Sequence, residues 1–166
     1  MKIKSFLFFF ILMLLFGMIS AEADQSIAPV PFEIQSNDGS RVFCFNPYPD
    51  KGSERAVVYD NSDPPNVIYT VKGLIPWAYK FNFYFSEDFQ NFVFFYPVGF
   101  NIAFEFYVNG ELQKIYYIED FIKDTSLIPK SSSKAMWLAT GEQKITQNGN
   151  ILTFRTTVCR FAYILM

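Results

Sequence analysis

The sequence predicts an all-β fold, an antiparallel sandwich or barrel of short strands, and three observations carry that expectation. From Phe32 onward the apolar residues recur at every second position rather than every third or fourth, which is the period of a half-buried strand. Phe, Tyr and Trp make up 20% of the chain, with 21 Phe and 10 Tyr, and such rings favour a pleated surface. Turn signals rich in Gly, Pro, Asn and Asp recur at short spacing, giving roughly ten strands and no convincing long helix.

Residues 1–23 stand apart from this pattern. Lys2 and Lys4 open the chain, residues 6–16 carry no charge, and Ala21-Glu22-Ala23 has the small-x-small form of a cleavage site. A secretory signal peptide removed after Ala23 is expected; a membrane span would need about 20 apolar residues, and this run is shorter. The remaining length, about 140 residues, suits one domain with a sizeable core. A single domain over residues 24–166 follows, in a secreted, extracellular protein with no membrane association once the leader is gone.

Pro29-Val30-Pro31 is a stiff lead-in to the first strand, where Phe32 and Ile34 alternate with polar neighbours. Asn37-Asp38-Gly39-Ser40 is a turn, and residues 41–45 return as the partner strand. Asn46-Pro47-Tyr48-Pro49 ends that strand, since proline cannot donate to a ladder. A polar loop containing Gly52 leads into a strand over residues 55–59. Asp60-Asn61-Ser62-Asp63-Pro64-Pro65 closes it with loop chemistry throughout. This reading puts Asn46 and Asn61 at corresponding ends of neighbouring strands, and a short strand over residues 67–72 follows.

Phe81, Phe83 and Phe85 alternate with Asn82 and Tyr84, and residues 91–96 continue the aromatic pattern after a break at Ser86-Glu87-Asp88. This phenylalanine ladder is expected to be core. Residues 101–117 form a hairpin around Asn109-Gly110, a favoured pair for a two-residue type I′ turn. That turn would set Val108 opposite Glu111, Phe106 opposite Gln113, and Glu105 opposite Lys114 as a solvated ion pair. Residues 119–134 are the least periodic, with room for a helical turn. Strands over 135–139 and 144–147 lead to a second turn at Asn148-Gly149. Residues 151–166 are then one long extra strand, whose poor alternation suggests burial on both faces in part.

The chain contains no histidine, so the commonest general base and the commonest metal ligand are both missing. Ser-His-Asp and Cys-His machinery is excluded, and no spacing of carboxylates suggests acid-base work. No catalytic residue, metal or cofactor is expected, and the chain reads as a non-enzyme. The formal net charge is −2 with no basic block, which argues against nucleic acid or an anionic membrane as the main partner. The two cysteines, Cys44 and Cys159, would pair by default in an oxidising secretory route.

Residues 32–34, the turn at 37–40, Val42-Phe43-Cys44-Phe45-Asn46-Pro47-Tyr48 and, after a Gly-containing loop, Val57-Val58-Tyr59-Asp60-Asn61-Ser62 together resemble the central strands of galectins. In that family an alternating strand ends in His-x-Asn-Pro-Arg and the next ends in Val-x-Asn-Ser. Phe104-Glu105-Phe106-Tyr107-Val108-Asn109-Gly110 is similar to the family's Phe-x-Val-x-Val-Asn-Gly hairpin, and Ala135-Met136-Trp137-Leu138-Ala139 with Gly141 is a fainter echo. The resemblance implies a two-sheet jelly-roll sandwich whose concave face cradles a β-galactoside without metal.

Position by position, the resemblance retains Asn46 and Asn61 as sugar contacts, places Cys44 at the histidine and Tyr48 at the arginine, and lacks the Trp-Gly-x-Glu-x-Arg motif, whose key positions fall near Ile68, Val71 and Gly73. Tyr48, Tyr59 and Tyr69 are rings left for stacking, with Trp77 an alternative to Tyr69 away from the family's tryptophan position. Asn46, Tyr48, Tyr59, Asn61 and Tyr69 are therefore the expected ligand-binding residues of a degenerate sugar site. Its partner would be a glycan or, if sugar binding is lost, an extracellular protein or an apolar ligand. The family's usual strands ahead of Phe32 are absent, so the final strand is expected at the sheet edge they would occupy. A Cys44–Cys159 bridge would lay that strand against the concave face.

Overall fold

A computed structural model describes residues 28–96, 101–129, 137–138, 145–158 and 160–164, the last stretch as backbone. The expected leader, Cys159 and most of the expected 135–139 strand lie outside the described residues. Among the described residues no helix is long and apolar enough to cross a membrane.

The chain is all-β and antiparallel. The front sheet is a four-stranded meander of β1 (Phe32–Gln35), β2 (Arg41–Phe45), β3 (Ala56–Asp60) and β4 (Val67–Val71). A central four-stranded meander follows, with β5 (Phe83–Phe85), β6 (Asn91–Phe95), β7 (Ile102–Val108) and β8 (Glu111–Tyr117). Among the described residues the back sheet has three strands, β9 (Ile145–Asn148), β10 (Ile151–Arg155) and β11 (Arg160–Ile164), in the order β11-β10-β9.

Alternation explains how the layers stack. On the front sheet Phe43, Phe45, Ala56, Val58, Tyr69 and Val71 point inward and meet Phe83, Phe85, Phe92 and Phe94 of the central sheet. Phe43 lies 5.0 Å from both Phe83 and Phe85, ring centre to ring centre. The other face of β6 contributes Val93 and Phe95 to a second core with Phe104, Trp137, Leu152 and Phe154. Every residue of β6 is buried, so the central sheet is covered on both faces, as a near-continuous apolar strand requires. Of the expected ladder, Phe83, Phe85, Phe92, Phe94 and Phe95 are core. Phe81 is not: it lies in the 3-10 turn Lys80–Asn82, where the strand period does not apply, and is exposed.

Two register expectations need correction. The β7–β8 turn does hold Asn109 at φ 48° and Gly110 at φ 81°, and Val108 does face Glu111. A bulge between Phe106 and Tyr107 then moves the ladder by one, so that Phe106 faces Lys114 and Glu105 faces Ile115. Glu105 lies in the core, on the same face of β7 as Tyr107, rather than joining Lys114 in solvent, and the Lys114 ammonium sits 4.3 Å over the Tyr116 ring. At the second hairpin Asn148 faces Ile151, so Gly149 and Asn150 form the two-residue loop.

The extra strand expected over residues 151–166 is two strands. β10 and β11 pair with each other, Ile151 facing Ile164 and Arg155 facing Arg160, and β10 pairs with β9. They build the back sheet instead of extending an edge of the front or central sheet. The physical reason is the apolar outer face of the central sheet, which Leu152 and Phe154 cover.

Candidate ligand-binding face

The inward alternation of the front sheet dictates what its other face carries. Because β1, β2 and β3 pair antiparallel, Glu33 sits opposite Cys44 and Cys44 opposite Val57, while Gln35 sits opposite Val42 and Val42 opposite Tyr59. All these side chains point away from the core. Of these, Glu33, Cys44, Val57 and Tyr59 join Pro31, Asn46, Glu54 and Arg55 in bordering an open groove of about 430 Å³, and its lining includes no residue of β9 or β10.

Of the expected binding residues, Asn46 and Tyr59 line this groove. Asn46 spends its Oδ1 on the Tyr48 amide, which donates to it at 3.0 Å, so the carboxamide also shapes the turn that ends β2. Its own N–H donates to Arg55 O at 2.8 Å. Tyr48 follows in that turn and is exposed.

Asn61 does not sit near Asn46. Its N–H donates to Ser40 O and its Nδ2 to Gly39 O, both at 2.9 Å, which pins it beside the β1–β2 turn. In an antiparallel pair the ends of β2 and β3 lie at opposite ends of the sheet, about 20 Å apart at this strand length. The expectation of corresponding ends ignored that reversal. Tyr69 is on the opposite face altogether: it is buried in the front core, where its hydroxyl donates to Phe89 O.

Cys44 is a free thiol, 3.7 Å from Glu33 Oε1, to which it donates. Burial, and next the Glu33 charge, push this thiol above its ordinary value. A thiol held protonated is a poor nucleophile. No disulfide is found among the described residues, and Cys159 lies outside them. Among those residues no group of three or more His, Cys, Asp or Glu side chains could hold a metal ion.

Glu33, Glu54 and Arg55 were missed as candidates. The signal for Glu33 was available: once the 37–40 turn sets the β1–β2 register, Glu33 must face Cys44 on the outer side. Arg55 carries no such signal, because its role depends on tertiary contact, with Nε donating to Pro47 O at 3.3 Å and Nη1 to Leu74 O.

A second polar concavity of about 310 Å³ opens between the edge strands β1, β5 and β9, lined by Gln35, Asn37, Tyr84, Glu87 and Gln147 among others. Gln147 is fixed there by donating from Nε2 to Gly149 O at 3.0 Å and to Phe85 O. Comparison with protein-family models, with curated proteins and with solved structures finds no match for this chain.

Proposed function

We propose that this chain is a secreted, non-catalytic carbohydrate-binding module of galectin-like, jelly-roll ancestry, with its ligand face on the outer side of the front sheet. The observation that carries the reading is the groove itself. It combines the carboxylates of Glu33 and Glu54 and the carboxamide of Asn46 with a half-buried ring at Tyr59, in a volume of about 430 Å³. That volume falls in the range of roughly 300–1,000 Å³ usual for small-ligand sites. Polar groups that converge beside one ring suit a sugar, which offers hydroxyl donors on its edge and C–H groups on its face. The meander β1–β4 facing β5–β8 supports the sandwich part of the reading.

The site differs from the one that the resemblance implies. Asn61 and Tyr69 are committed elsewhere, so the ligand would rest on β1, β2 and β3 rather than on both asparagines. That withdrawal also favours a second reading, a galectin-like scaffold that has exchanged galactose for a protein ligand.

Glycan-array binding of the folded chain with lactose competition separates the two. Binding to a glycan that is lost on Tyr59→Ala and Asn46→Ala, with or without lactose sensitivity, is the expected result. Absence of binding to any glycan, with far-UV circular dichroism still that of a β protein, would eliminate the carbohydrate reading.

A further inference from the structure

Residues 72–82 carry the chain from the front sheet to the central sheet, and this crossover divides its apolar groups between two destinations. Leu74 and Ala78 are buried in the front core. Trp77 and Phe81 are turned to solvent, 48% and 63% exposed, and Phe81 stacks on Tyr79 at 5.4 Å with 4° between the ring planes.

The backbone holds this arrangement. Buried Asn82 accepts from Tyr79 N at 3.1 Å through its side chain and donates its N–H to Tyr79 O at 2.9 Å, and Arg55 Nη1 donates to Leu74 O. Arg55 Nε also reaches Pro47 O at 3.3 Å, which brings the turn bearing exposed Tyr48 to the same end of the molecule. Large rings held outward on a fixed loop are a costly surface in water.

The crossover's own charge is one-sided. Lys72 and Lys80 flank Trp77 and are exposed, and residues 64–86 contain no Asp or Glu at all. On the neighbouring loop Asp50 and Glu54 are matched by Lys51 and Arg55. The whole chain carries −2, which speaks against an anionic partner only if the charges act together. Screening limits their reach to about 10 Å, so a surface meeting this end senses the local cations.

We propose that this end of the molecule docks on a bilayer surface that carries anionic lipid. Trp77 enters the interfacial layer, where a ring with an apolar body and a polar N–H is favoured. Phe81 buries apolar ring surface beside the acyl boundary, and Lys72 and Lys80 remain at headgroup level against the negative surface. The proposal replaces the expectation of no membrane partner, and it is independent of the groove on the front sheet.

The test is co-sedimentation of the full chain with phosphatidylcholine vesicles, with and without phosphatidylserine. Binding to the anionic vesicles should exceed binding to the neutral ones by about tenfold or more. It should be lost in Trp77→Ala/Phe81→Ala and in Lys72→Glu/Lys80→Glu. Tryptophan emission gives a second readout that needs no variant: Trp137 is buried, so a blue shift on adding anionic vesicles reports Trp77. No sedimentation of the wild type, equal binding to both vesicle types, undiminished binding of either folded double variant, or unshifted emission would each overturn the proposal.

Discussion

Glu105 shows how far the face that a strand residue takes decides its chemistry. The alternation of β7 puts its carboxylate, 6% exposed, on the same buried face as Tyr107, where Oε1 accepts from Tyr96 OH at 2.9 Å and Oε2 from Tyr107 OH at 2.6 Å. Removing the acceptor by Glu105→Ala should cost about 3 kcal/mol or more, since it opens a cavity and takes away the oxygen that both phenols use. Tyr107→Phe should cost about 1–3 kcal/mol by leaving Oε2 without that donor.

The phenols give a pH signature. Burial, then the hydrogen bond to Glu105, holds Tyr107 far above its ordinary value, and burial, then the Glu105 charge, does the same for Tyr96. An unfolded chain ionises its tyrosines near about pH 10. The resulting stabilisation is therefore complete below that pH and is lost as pH rises beyond it, because the unfolded state gives up protons that the native state keeps. Urea midpoints measured from neutral to strongly alkaline pH should fall above about 10, and less steeply in Tyr107→Phe. An unchanged slope in that variant would show that Tyr107 is not among the groups responsible. None of this was legible in residues 104–108, where the alternation of Glu105 with its neighbours suits a solvent-facing ion pair just as well.

The elements themselves were largely readable, and the turns most of all. Asp38 accepts from Ser36 Oγ at 2.7 Å and from Ser40 N at 3.0 Å, bonds that hold its carboxyl down at about 2. This is the side-chain-to-backbone chemistry that made residues 37–40 a turn in the sequence. What local signals could not supply was the relation between strands. Asn46 and Asn61 each end a strand, as read, yet antiparallel pairing sends those ends apart, and the candidate site loses half of its expected polar pair for that reason alone.

The Asn109-Gly110 hairpin has a further constraint outside its own sequence. Gly110 is buried at φ 81°, and a Cβ there would lie against Thr70 O and 2.8 Å from Tyr69 Cδ2. The tip of a central-sheet hairpin thus abuts β4 of the front sheet. Gly110→Ala should destabilise the protein by about 2–5 kcal/mol through backbone strain and overpacking together, read as a lower urea midpoint. Gly52→Ala, where nothing lies within 4 Å of the added carbon, carries the positive-φ cost alone and should shift the midpoint less.

At the scale of the molecule, an all-β antiparallel fold was legible from period and turn spacing, whereas the third layer was not inferred. Its signal was present in Phe92-Val93-Phe94-Phe95, which offers no polar residue to a solvent-facing side and so demands cover on both faces. The consequence is mechanical as well as topological. β6 sends Phe92 and Phe94 into the front core and Val93 and Phe95 into the back core, so neither core can come apart while the other keeps β6 in place without exposing half of that strand.

The two cores should accordingly unfold as one. Phe43→Ala removes a fully buried ring from the front core and Phe154→Ala one from the back core, each at a cost of about 3–5 kcal/mol. Both variants are made in a Trp77→Phe background, so that emission reports Trp137 alone. If β6 couples the layers, both lower the same single urea transition, and far-UV circular dichroism coincides with the emission of Trp137, which packs at 5.9 Å from Phe154. If the layers are independent, Phe154→Ala instead splits the curve, with Trp137 emission changing at a lower urea concentration than the bulk of the β signal. Coincident curves in both variants would make the central sheet the element through which damage to one core reaches the other.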